Sequence, residues 1–93
     1  MLHIALAIKQ YDSLKGACAD QVVLAFNLED GHYTFIGDDA KTVHDLFGTQ
    51  IETNFGRNTA RPFVNEIEEK KNKFAEHGKA MRVITQPHVI SRS

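Results

Sequence analysis

The sequence predicts a small α/β (α+β) domain, a mixed sheet of about four strands flanked by about three helices, on three observations. One is the continuous apolar run Val22 to Phe26, VVLAF, which suits a strand covered on both faces. Another is the Asp30-Gly31 pair between two apolar runs, a chain-reversal signal. The last is a three-to-four spacing of apolar residues in the segments around these strands, the period of an amphipathic helix.

In chain order the expected elements run α-β-β-α-β-α-β, a single domain over residues 1–87 with a loose tail over 88–93. Ile4, Ile8, Tyr11, Leu14 or Lys15, and Cys18 make one stripe of a first helix, with Gly16 weakening its end and Cys18 a small buried hydrophobe. Asp20 then introduces VVLAF, expected near the sheet centre beneath a helix. Past the reversal, HYTFI (His32 to Ile36) pairs antiparallel with it, Tyr33 and Phe35 on one face and Thr34 and Ile36 on the other.

A second helix starts at Asp38 or Asp39, either of which can cap it. Ala40, Val43, Leu46 and Phe47 form its buried side, and Gly48 is its stop. Ile51, Thr53 and Phe55 alternate with polar residues as in a half-buried strand. Gly56 to Ala60, GRNTA, is expected to be a polar loop. With Arg61 just beyond it and no acid between Asn54 and Phe63, it is the locally basic loop of the chain.

Pro62 can open a third helix with Val64, Ile67, Phe74 and Ala75 buried and Gly78 as its cap. Its outer face offers Glu66 to Lys70 and Glu69 to Lys73, pairs four apart with the acid first. AMRVIT, Ala80 to Thr85, is the closing strand, ended by Pro87.

Composition limits the function classes. A formal charge of -1, from 11 Lys+Arg against 12 Asp+Glu, is not that of a protein that grips phosphate backbone by itself. Cys18 is the only cysteine, so an intrachain disulfide and a thiolate-cluster site are excluded. The apolar start MLHIALAI is interrupted by His3 and ends at Lys9, too short to span a bilayer. A cytoplasmic protein with no membrane partner is expected.

Catalytic signals are weak. The nearest carboxylate-x-Lys triplet, Glu68-Glu69-Lys70, falls on a helix face and does not converge with Asp38 or Asp39 at a strand edge. His3, His32, His44, His77 and His88 show neither HxxxH nor HxH spacing. No enzyme activity, metal or cofactor is expected.

Tyr11, Leu14-Lys15, Asp20 with VVLAF, Tyr33, Asp39-Ala40, Gly78 and Gln86 form an ordered set. Over about Lys9 to Gln86 that set resembles the N-terminal, mismatch-contacting domain of the DNA repair protein MutS. The resemblance implies a domain I-like fold in a stand-alone, degenerate form of phage or mobile-element type. In the family a Phe wedges beside a mispaired base and a Glu two residues later hydrogen-bonds it. Those slots hold His32 and Thr34 here, and the preceding Gly-Asp is inverted to Asp30-Gly31.

Mismatch reading is therefore not expected. A non-catalytic module associating with DNA or with a DNA/RNA-processing complex is, with Arg57, Asn58 and Arg61 as contacts and His32 and Tyr33 at the hairpin second. The alternative is a small phage-type inhibitor that binds a host nucleic-acid-processing or defence enzyme. Self-association into a homodimer is compatible with a modest core in 93 residues.

Overall fold

The computed structural model describes residues 2–17 and 21–85. The roles expected of Cys18, Asp20, Gln86, Pro87 and the 88–93 tail lie outside the described residues. The elements are α1 (Leu2–Lys15), β1 (Val22–Asn27), β2 (Tyr33–Ile36), α2 (Asp38–Phe47), β3 (Ile51–Asn54), β4 (Arg57–Ala60), α3 (Val64–Lys70), α4 (Asn72–Glu76) and β5 (Ala80–Thr85). The fold is a small mixed α/β domain. Among the described residues a five-stranded sheet has the order β3-β4-β2-β1-β5, antiparallel except where β5 runs parallel to β1.

The apolar run at Val22 to Phe26 is covered on both sides, because alternate side chains of one strand feed two cores. Leu24 and Phe26 meet Ile4, Ala7, Ile8 and Tyr11 of α1, together with Leu28 and Ile36. Val23 and Ala25 point the other way, joining Tyr33, Phe35 and Ala60 beneath Ala40 and Val43 of α2, Ile67 of α3 and Phe74 of α4. Phe26, Phe35, Phe74 and Leu24 are fully buried, each contributing about 1.5–3 kcal/mol of transfer free energy. β2 holds the sheet centre, and β1 lies one strand from the edge.

Several expectations are corrected. GRNTA is not a loop: Arg57–Ala60 is β4, joined to β3 by the two-residue turn Phe55-Gly56. Both turn residues have positive φ, 54° and 75°, as a hairpin turn that matches strand twist requires. Phe55 thus leaves the strand and stands 61% exposed. This hairpin raises the strand count to five.

The third helix is interrupted at Lys71, where the Phe74 N–H donates to the Lys71 carbonyl at 3.1 Å, a tight three-residue turn. Ala75 ends up exposed while Ile67 and Phe74 fill the core. Pro62 does not open α3; it is buried before the Phe63 N-cap, and its carbonyl accepts the Tyr33 N–H at 3.0 Å. On the outer face Lys71 pairs with Glu68 at 3.2 Å, and Lys73 donates to the Leu46 carbonyl at 3.3 Å.

Neither Asp38 nor Asp39 caps α2. Gly37 is the N-cap, at φ 62°, with no side-chain cap bond. Asp39 is buried: it pairs with Lys15 at 3.0 Å and accepts the Leu24 N–H at 3.0 Å. The β1–β2 register, continued from Phe26 opposite Thr34, sets Leu24 opposite Ile36, where β2 ends. The Asp39 carboxylate takes the place of the missing ladder partner, and through Lys15 it ties α1 to β1 and α2. Gly48 does end α2 in the left-handed conformation, φ 76°.

Candidate contact surface

The hairpin loop after β1 and the segment after β4 are stitched together. Beyond the Tyr33 to Pro62 bond, the Val64 N–H donates to the Gly31 carbonyl at 3.0 Å and His32 forms a bridge with Phe63. His32 and Phe63 consequently sit side by side, their rings stacked at 4.5 Å between centroids and 27° between planes. His32 Nδ1 lies 3.0 Å from the Arg61 carbonyl and its backbone N–H donates to Asp30. Phe63 is 61% exposed. The N-cap position turns its side chain away from both cores, and backbone bonds on either side fix it there.

The sequence-predicted contacts are not one patch. Arg57 and Arg61 bracket β4, about 13 Å apart at the rise of a strand. Arg57 donates to Asp12 at 3.0 Å and lies 5.9 Å from the centre of the Tyr11 ring. Hydrogen bonding to Asp12 holds its pKa above the ordinary arginine value. Arg61 donates through Nε to Thr34 Oγ1 at 3.1 Å and through Nη2 to Asp30. Thr34 is fully buried. Both arginines are thus neutralised by carboxylates of the same molecule.

Asn58 is exposed on β4, its carbonyl accepting the Gly37 N–H at 2.9 Å. Tyr33 belongs to the core and not to the surface, and its hydroxyl donates to Glu68 at 2.7 Å. Burial first, then the bond to Glu68, pushes the Tyr33 phenol up to about 12. The same bond, helped by Lys71, holds the Glu68 carboxyl below its ordinary value. Of the five expected contacts, only His32 and Arg61 are brought together.

Sequence reasoning missed Phe63 and the acids around it. On one side lies an open groove of about 520 Å³ whose walls include Gly31, Val64, Glu66, Glu69 and Lys70. On the other, a groove of about 300 Å³ is walled by Thr49, Gln50, Glu52, Arg61, Pro62 and Glu66. The available signal was local: a large aromatic between Pro62 and the helix, off the apolar stripe that Ile67 and Phe74 define. Among the described residues no group of three His, Cys, Asp or Glu side chains could hold a metal ion, and no helix is long and apolar enough to cross a membrane.

No known protein family, curated protein or solved structure matches this chain. What the surface itself offers is a rigidly mounted edge on which an exposed Phe63 stacks on a half-buried His32, with Glu52, Glu66 and Glu69 and one lysine, Lys70, along its border.

Proposed function

We propose that this protein is a non-catalytic binding module that docks, through the Phe63–His32 edge, on a protein belonging to a nucleic-acid-processing complex. The exposed Phe63, held on a stitched backbone between two grooves, carries the proposal. Aromatic anchors concentrate binding energy at protein interfaces, and a preordered anchor avoids the entropy cost of being fixed on association. The link to nucleic acid comes from the resemblance to the MutS mismatch-contacting domain, whose wedge slot corresponds to His32.

Charge favours a protein partner over direct phosphate contact. Arg57 and Arg61 are engaged by Asp12 and Asp30, while three carboxylates, Glu52, Glu66 and Glu69, against the single lysine Lys70, border Phe63. Phosphate binding needs cations free to displace counterions. An inhibitor of a host nucleic-acid-processing enzyme would use the same edge in the same way.

The test is fluorescence anisotropy with labelled duplex, mismatched and single-stranded DNA at low and physiological salt, beside affinity capture by wild type and Phe63→Ala. Expected are no DNA binding at physiological salt and a captured partner that resists moderate salt but is lost with Phe63→Ala. Tight, salt-steep DNA binding weakened by Arg57→Ala and Arg61→Ala would overturn the reading. One observation favours a second reading, direct binding of unpaired bases: Phe63 continues the His32 stack outward, and a base can join such a stack. Single-strand binding lost with Phe63→Ala would establish it.

A further inference from the structure

We infer that the smaller groove beside Phe63 is a binding site for an arginine side chain presented by the partner protein, an inference that rests on the docking role proposed for this edge. One face of the Phe63 ring is taken by His32, and the side chain is otherwise largely open. A guanidinium is planar and weakly hydrated, so it stacks on such a ring.

The groove of about 300 Å³ next to the ring presents Glu52 on β3 and Glu66 on α3. Among the described residues neither carboxylate has an ion-pair partner. Arg61, the cation in the wall, is occupied by Asp30 and Thr34. Thr49 in the same wall carries the one buried side-chain polar atom without a hydrogen-bond partner among the described residues, its Oγ1.

Beside the Gln50 amide and the Thr49 hydroxyl, which can donate or accept, the groove's unpaired groups are the acceptor-only carboxylates of Glu52 and Glu66, and a guanidinium is all donors: five N–H groups in a rigid fork and no lone pair to repel a carboxylate. Lysine supplies charge but no plane to stack. Phosphate would meet two unpaired carboxylates. Charge complementarity and an open aromatic face thus select the same side chain from different directions.

The test is an amide-resolved NMR titration of the labelled protein with three capped tripeptides that differ only in a central arginine, lysine or citrulline. Citrulline keeps the shape and loses the charge. Saturable shifts at Glu52, Phe63 and Glu66 are expected with arginine, and the lysine and citrulline peptides should bind more weakly. Phe63→Ala and Glu66→Gln should each weaken the arginine peptide roughly two- to fivefold, as for exposed cation–π and ion-pair contacts. Both residues lie outside the core, so retention of the remaining spectrum shows that the variants stay folded.

Equal shifts from the arginine and citrulline peptides, or arginine binding untouched by both variants, would overturn the inference. The two readings fail separately. A partner lost with Phe63→Ala while arginine and citrulline bind equally removes the arginine site and leaves the docking role. Selective arginine binding with partner capture indifferent to Phe63→Ala removes the docking role.

Discussion

Replacing Asp39 by Ala should cost far more than replacing its neighbour Asp38, although both open the same helix. The Asp39 side chain is 5% exposed and the Lys15 side chain 20%. Its carboxylate is also the acceptor for the N–H of Leu24, which is fully buried. Removal leaves that N–H without a partner, a cost of about 1–3 kcal/mol. Breaking a buried ion pair costs about 3–5 kcal/mol when the remaining charge is trapped. Lys15 keeps the Val22 carbonyl and some access to water, so the two losses together come to about 3 kcal/mol. Against a total stability of roughly 5–14 kcal/mol for a chain of this size, that is a large fraction. Urea denaturation followed by far-ultraviolet circular dichroism measures it. Asp38→Ala, an exposed first-turn acid, should cost about 0.3–1 kcal/mol. Asp39→Asn, which retains an acceptor for Leu24, should fall between. A double-mutant cycle of Asp39→Asn with Lys15→Met should show coupling of about 1 kcal/mol or more. If Asp39→Ala and Asp38→Ala cost the same within about 0.5 kcal/mol, Asp39 is an ordinary helix-dipole residue and not the buried tie between α1, β1 and α2.

Burial raises both Tyr11 and Tyr33 to about 12 from an ordinary 10. The folded state therefore holds these phenolic protons longer than the unfolded chain. Their contribution is fully present below pH 10 and is lost as pH rises from 10 through 12, at most about 2–3 kcal/mol per tyrosine. Phenolate absorbance and stability measured over that window check it, and two phenols titrating at 10 in the folded protein would refute it. Gly37→Ala should destabilise by about 1–2 kcal/mol. Gly37 stands at φ 62°, and an added Cβ would lie 3.3 Å from the Tyr11 hydroxyl; an unchanged urea midpoint would count against it. Phe55→Asn should raise stability by about 0.5–1 kcal/mol, because asparagine accepts positive φ more readily than an exposed phenylalanine. A loss measured in the same assay would contradict that account.

The elements that were legible in the sequence carry their own punctuation. VVLAF is apolar on both faces, Asp30-Gly31 marks the reversal, Gly48 ends α2, and AMRVIT lies between Gly78 and Pro87. β4 was illegible because its hairpin turn is Phe-Gly, without the asparagine or aspartate that normally announces positive φ. The break at Lys71 was hidden because Ile67 and Phe74, seven positions apart, fit one helical stripe whether or not the helix is continuous.

The candidate site was legible by residue type but not by pairing. Arg57 and Arg61 are the cations of an acid-free stretch, yet their partners Asp12 and Asp30 lie 45 and 31 positions away along the chain. No local pattern carries such a contact. Asp39 poses the same problem at a separation of 24 from Lys15. Pairing changes more than the bookkeeping of charge. An arginine bonded to its own chain cannot release counterions from DNA without first giving up that bond, so a locally basic sequence need not make a basic surface. The acids beside Phe63 sit on β3 and α3 and converge only after folding. A stretch that reads as positive along the chain thereby borders an edge that is aromatic and acidic in space, and the chemistry that fits such an edge is a cationic, planar side chain.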